Sequence, residues 1–230
     1  MEEKETRQTH GVKKIVLAAV IAVALVAVGI FIGMGVQQRK DAVVKRDAEE
    51  QAAAYQEELK QLAERIQGYT EDAYDAAVVQ ASVWRNSIYQ ERDASTDPYT
   101  MEDGVFLEDF NDALGKLYEN GEFQSKEAFI DSSRKSAAEG MSRLKDAPEG
   151  YEDAYGALKA YYDAYIRLTN LTLNGAGYTY SDFNSELGDL NRELDTCYLT
   201  LVVYIGKVCA IKRGGLPDGR PPLCCMGITR

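Results

Sequence analysis

Histidine is almost absent from this chain, and its placement excludes more than its scarcity does. The one histidine among 230 residues is His10, in a short N-terminal tail. A Ser-His or Cys-His pair in the main body therefore has no base to use, and no G-x-S-x-G elbow accompanies it. Neither H-E-x-x-H nor C-x-x-C occurs, which removes the common zinc patterns. The four cysteines, Cys197, Cys209, Cys224 and Cys225, all fall late. They do not form a disulfide framework, and Cys197 and Cys209 on one helix would stand about 18 Å apart. The best calcium-loop candidate starts at Asp93 but has Pro98 where glycine is needed and Gly104 where the bidentate glutamate belongs. No glycine loop of the phosphate-cradling kind is present. The expectation is a chain with no metal and no cofactor that is not an enzyme.

Basic charge is also short. Residues 39–195 hold 17 lysines and arginines against 33 aspartates and glutamates, within a net charge of −11. Such a body has little to replace phosphate counterions, so nucleic acid is not an expected partner. Paired carboxylates such as Glu71-Asp72 and Glu152-Asp153 read as solvated helix faces.

One stretch lacks charge altogether. Ile15–Val36 runs 22 residues without a strong polar group, about 33 Å as a helix, enough to cross the hydrocarbon core of a bilayer. It is too long for a signal-peptide apolar region, and Gln37-Gln38-Arg39-Lys40 offers no small-x-small cleavage site. An uncleaved signal anchor follows, placing the chain in the cell membrane as a single-pass protein. The basic residues flanking it tie in number. Lys13-Lys14 abuts the apolar stretch and a long trailing domain translocates largely regardless of charge, which favours the N-terminus inside and the C-terminal domain outside. Within this span Ala18-x-x-x-Ala22 and Gly29-x-x-x-Gly33 allow close helix approach, so a homodimer through membrane helix and stalk is an expected partner state beside the lipid bilayer itself.

Proline is missing until Pro98, and the residues before it are helical in pattern. Ala48, Ala52, Tyr55, Leu59, Leu62, Ile66, Tyr69, Ala73 and Ala76 alternate in steps of four and three, a heptad seam that slips to Ala77, Ala81, Trp84 and Ile88. Because the seam passes through Gly68, one continuous helix is expected. Asp97-Pro98 offers a cap and a first-turn proline, leading to Phe106, Phe110, Ala113 and Leu117 on one face. Asn120-Gly121 ends that element, and Ser125 can cap the next, with Ile130, Ser133, Ala137, Met141 and Leu144 inward. Asp146-Ala147-Pro148 breaks the chain. Tyr151, Tyr155, Leu158, Tyr162 and Tyr165 follow at helical spacing, Asn174–Gly177 is a loop, and Thr179-Tyr180-Ser181-Asp182 fits a capping box. The last helix carries Phe183, Leu187, Leu190, Leu194, Cys197, Leu201, Tyr204 and Val208. Leu199–Ile211 is too short to span a membrane again. No run alternates with period two.

These elements make an all-α protein: a tail over 1–14, a transmembrane anchor over 15–36, a helical stalk over 37–67, an antiparallel bundle of four to five helices over 68–210, and a disordered tail over 211–230 rich in proline and glycine. The crowded tyrosines Tyr151, Tyr155, Tyr161, Tyr162 and Tyr165 have two readings. They form a core and rim whose hydroxyls reach the surface, or an aromatic cleft for a peptide, glycan or small ligand.

The tyrosine-rich helix Tyr151–Leu173, the loop Asn174–Gly177 and the start Ser181-Asp182-Phe183-Asn184 resemble segments of uncharacterised single-pass proteins of Gram-positive bacteria. The resemblance covers about a quarter of the chain and implies a bacterial membrane protein with an extracytoplasmic helical domain. It implies no catalytic residue. Three functions are then in view. The first is a membrane-tethered interaction or structural module of the cell envelope, partnered by an unknown envelope protein or ligand. The others are a ligand-sensing ectodomain working with a separate signalling partner, and an enzyme of unknown type.

Overall fold

The computed structural model describes the backbone of residues 2–212 and the side chains of residues 43–206. Helix α1 runs Glu2–Tyr89, unbroken at Gly68. A Cβ there would meet nothing within 4 Å, so Gly68 faces solvent and costs only the about 1 kcal/mol of an exposed helical glycine. Leu62, Ala63, Ile66 and Ala73, all buried on either side of it, hold the helix through that point. α1 ends where Gln90 takes a left-handed backbone, φ 52°, and the Glu91 N–H turns back to the Asn86 carbonyl at 3.0 Å. That bond closes a Schellman-type stop.

The chain divides into two compact units, Met1–Ala53 and Ala54–Arg230. The first is helical from Glu2, and its side chains over 43–51 are exposed. Ile15–Val36, with Ala18, Ala22, Gly29 and Gly33, lies outside the residues whose side chains are described, as does the tail from 213 onward. Among the described residues no helix is long and apolar enough to cross a membrane.

The second unit is a four-helix bundle with a small cap. Its long helices are residues 54–89 of α1, α4 (Gly121–Leu144), α5 (Glu152–Leu173) and α6 (Tyr180–Lys212). Early α1 meets late α4: Tyr55 donates to the Leu144 carbonyl at 2.8 Å and Arg143 pairs with Glu58 at 2.6 Å. α5 runs parallel to α1, with Tyr151 donating to Gln56 and, about five turns later, Thr172 donating to the Ala73 carbonyl. α6 returns against both, its start on Trp84 and its middle on Tyr161. The order is up, down, up, down.

Here the observed boundary differs from the expected one. Leu59, Leu62 and Ile66 are at most 1% exposed, so the seam assigned to a stalk over 37–67 belongs to the bundle from residue 54. A heptad seam looks the same whether its partner is a second chain or a helix returning from the same one. Eight of the core residues expected on α4 and α5, namely Ile130, Ser133, Ala137, Met141, Leu144, Tyr151, Leu158 and Tyr165, are buried, as are Phe183, Leu187, Leu190, Leu194 and Leu201 on α6.

Between α1 and α4 lies the cap: a short helix α2 (Asp97–Thr100), a ribbon of β1 (Met101–Glu102) and β2 (Val105–Phe106), and α3 (Phe110–Glu119). The ribbon corrects the all-helical expectation that put Phe106 on a helix. Asp103 and Gly104, both at positive φ, form the two-residue turn that pairs Met101 with Phe106 and Glu102 with Val105. Caps differ too. Thr96, not Asp97, precedes α2, and Asp109 caps α3 through the Asn111 N–H. Asn120 ends α3 and caps α4 at once, its side chain accepting from Glu122 and Phe123. Ser125 instead donates to the Gly121 carbonyl inside α4. The expected box at α6 is present, Thr179 accepting from the Asp182 N–H at 3.2 Å and donating to its carboxylate at 2.8 Å.

Candidate functional site

Helix α5 turns its tyrosines toward three different neighbours. Tyr151 sits edge-on to Tyr55 of α1, centroids 5.4 Å apart. Tyr165 is fully buried, 2.6 Å from Ser133 of α4. Because the Ser133 hydroxyl proton goes to the Ile130 carbonyl, Tyr165 is the donor of that bond. Tyr161 faces α1 and α6, donating to Thr70 at 3.4 Å and packing on Tyr198 at 5.5 Å. Tyr155 and Tyr162 are half-buried. These placements match the core-and-rim reading more closely than one shared cleft.

Burial raises the phenols of Tyr55, Tyr161 and Tyr165 to about 12. A raised folded value means that the unfolded chain ionises first, near 10. The stability these neutral phenols contribute is whole below pH 10 and is lost as pH climbs through about 12. Helical circular dichroism followed with tyrosinate absorbance should show the late-ionising tyrosines appearing together with helix loss. Full ionisation with the helix signal intact would contradict the burial.

Tyr161 also lines a small pocket of about 200 Å³ with Tyr74, Tyr198, Glu71, Asp75 and Asp195. No basic side chain is among its lining residues, so the local field is negative. Among the described residues no three His, Cys, Asp or Glu side chains are placed to hold a metal ion.

The larger site lies at the capped end of the bundle. A cleft of about 680 Å³ opens between the last turns of α1 (Trp84, Ile88), α3 (Phe110, Leu114, Tyr118) and the α5–α6 connection (Ala176, Tyr178, Tyr180). Trp84 is its pivot. Its ring lies 6.4 Å from Phe110, 6.1 Å from Tyr180 and 6.0 Å from Phe183. None of the twelve lining residues is charged. That composition and volume match clefts that take an uncharged, flat ligand or a peptide side chain.

The walls are not purely apolar. Trp84 Nε1 and Tyr118 OH, on two of the lining side chains, are buried without a hydrogen-bond partner among the described residues, and so is Gln80 Oε1 nearby. Burial holds the Tyr118 phenol above its usual range, so at neutral pH it is a hydroxyl able to donate. Sequence spacing pointed to Tyr151–Tyr165 and missed this site. The available signal was Tyr178 and Tyr180 flanking a helix cap, with the chain's one tryptophan at the end of the α1 seam.

Cys197 is half-buried and free, its thiol raised by burial. Cys209, Cys224 and Cys225 fall outside the described side chains. Comparison with protein-family models, with curated proteins and with solved structures returns no match, so the functional reading rests on this geometry.

Proposed function

We propose that the chain is a membrane-tethered, non-catalytic helical module of the cell envelope, anchored by Ile15–Val36 with its bundle outside the membrane, which docks an uncharged aromatic or apolar group in the Trp84 cleft. The observation that carries this reading is the cleft itself: five aromatic side chains from three segments around about 680 Å³ with no ionisable cation or carboxylate on its walls. A monomer that leaves such a surface open commonly uses it to bind. The anchor supports the location by length and lack of charge, as in the Gram-positive single-pass proteins that the α5–α6 region resembles.

Trp84 is the only tryptophan, so its fluorescence reports the cleft directly. Titration with toluene should give a saturable change in its emission. A linear response up to the solubility limit would overturn the docking reading. For the tether, the full chain should stay in the membrane pellet after an alkaline carbonate wash, and its release into the supernatant would remove the anchor.

The second reading, a ligand-sensing ectodomain with a separate signalling partner, is favoured by one feature. The cleft joins the end of α1 to the start of α6, so an occupant touches both helices.

A further inference from the structure

Midway along the bundle, the pocket of about 200 Å³ between α1 and α6 shares no lining residue with the Trp84 cleft. Its inner wall is Tyr161 of α5, 2% exposed. Half-buried Tyr74 and Tyr198 line it as well, and Glu71, Asp75 and Asp195 stand exposed at the rim. The Tyr161 hydroxyl donates to Thr70 at 3.4 Å. Its proton is committed, so the ring and the oxygen lone pairs are what it offers an occupant.

Other seams of the bundle match acid to base. Arg143 meets Glu58 across α4 and α1, and Arg167 meets Glu186 and Glu193 across α5 and α6. At this opening three carboxylates from two helices have no ion-pair partner among the described residues, and Glu71 accepts only from Gln67 of its own helix, at 3.3 Å. Like charges gathered around one opening repel each other, and a cation held there offsets that repulsion. Their field reaches the rings. Burial is the main reason that the Tyr161 and Tyr198 phenols are raised, but the charges of Glu71 and Asp195 add to it at Tyr161, and those of Glu64 and Glu71 at Tyr198. The Tyr161 and Tyr198 centroids are 5.5 Å apart with their planes inclined by 50°, so one cation can stand within the about 6 Å cation–π reach of both.

The lining also says which cation. Among the described residues no three acidic side chains are placed to hold a metal ion. A trimethylammonium group needs no such convergence: it has no N–H to satisfy, its charge is spread over its methyl groups, and aromatic rings in a negative field hold it. The volume is below the about 300–1,000 Å³ of pockets that enclose a whole ligand, so it takes a head group. We propose that the pocket binds the trimethylammonium head of a small organic cation, with Tyr74, Tyr161 and Tyr198 around the methyl groups and Glu71, Asp75 and Asp195 supplying the opposite charge. A trimethylammonium that also carries an anion, as in a lipid head group, meets the same rim as a repulsion, which selects a free cation.

Calorimetric titration of the full chain in maltoside detergent, which contains no ammonium group, tests this with four probes. Choline should bind saturably with a Kd of about 1 mM or tighter. Its uncharged isostere 3,3-dimethyl-1-butanol, methylammonium and phosphocholine should each bind at least about 10-fold more weakly. Tyr198→Leu should weaken choline about 10-fold by removing a ring while keeping apolar bulk, and Asp195→Asn, at an exposed position, about 3-fold or more. Both variants should keep the helical circular dichroism of the parent. An isostere as tight as choline would make the pocket merely apolar and overturn the assignment. Methylammonium as tight would overturn the methylated head, and phosphocholine as tight would overturn the free cation in favour of a lipid. Choline binding that survives both substitutions would place the cation elsewhere. No saturable choline binding would end the proposal and leave the docking role of the Trp84 cleft untouched.

Discussion

Phe183→Ala should cost the bundle about 3–5 kcal/mol, toward the upper end of that range. The ring is fully buried. It packs between Trp84 at 6.0 Å and Tyr178 at 6.2 Å, and its Cε2 lies 3.2 Å from where a Cβ on Gly175 would be. A truncation is cheap only where neighbours collapse into the space. Here one neighbour is a glycine and another is a tryptophan held by two further rings, Phe110 and Tyr180, so the cavity persists. For a unit of this size each kcal/mol lowers the melting temperature by about 2–4 °C, giving a drop of about 10 °C or more. Urea unfolding followed by circular dichroism should show a lower midpoint with an unchanged slope. Phe129→Ala is the internal comparison. That ring is 46% exposed and, among the described residues, its ring contact is Tyr69, edge-on, so its loss should cost about 1 kcal/mol or less. Equal losses at the two positions would mean that the capped end of the bundle is not part of the core. The substitution should also shift Trp84 emission to the red, because Phe183 forms the floor on which that indole rests.

How much of this was legible follows from what periodicity can report. A 4-3 spacing says which face of one helix is apolar; it gives the whole α4 stripe and, on α6, Phe183, Leu187, Leu190, Leu194 and Leu201, while Cys197 and Tyr204 are only half-buried. It says nothing about what covers that face. Leu59, Leu62 and Ile66 were therefore placed in a stalk, although α4 and α5 return alongside and bury them. Strands two residues long are too short to alternate, so the ribbon at 101–106 left one trace, the Asp103-Gly104 pair that suits a turn with two positive φ values. The cleft was harder still. Its aromatic residues come from positions 84, 110, 118, 178 and 180, on three segments that meet only after the bundle closes. The α5 tyrosines stood out because they are crowded in sequence. Crowding on one helix disperses side chains around its axis, and three of the five ended in contact with three different helices.

Gly140→Val should be about as damaging, for the opposite physical reason. A bare Cβ at 140 would stand 2.5 Å from Leu62 Cδ1 and 2.9 Å from Cδ2, closer than carbon atoms approach. Leu62 is 0% exposed, so it has no free volume to enter without disturbing the rest of the α1–α4 interface. Two opposing effects meet at this site. Replacing a helical glycine gains up to about 1 kcal/mol in propensity. Forcing a buried leucine off its rotamer costs about 1–3 kcal/mol, and a β-branched residue adds to that. The clash wins: Gly140→Ala should lose about 1 kcal/mol net and Gly140→Val about 3. Gly156→Ala on α5 isolates the propensity effect, because a Cβ there meets nothing within 4 Å. It should stabilise the bundle by about 0.5–1 kcal/mol. The decisive measurement is a double-mutant cycle. Leu62→Ala alone should cost about 2–5 kcal/mol by opening a cavity that faces residue 140. Combined with Gly140→Val, the new side chain fills the space the leucine vacated. The pair should then be less destabilised than the two losses added together, with a coupling of about 1–3 kcal/mol. Strict additivity would show that residues 62 and 140 do not compete for one volume, and that α1 and α4 are not held in close contact at this point.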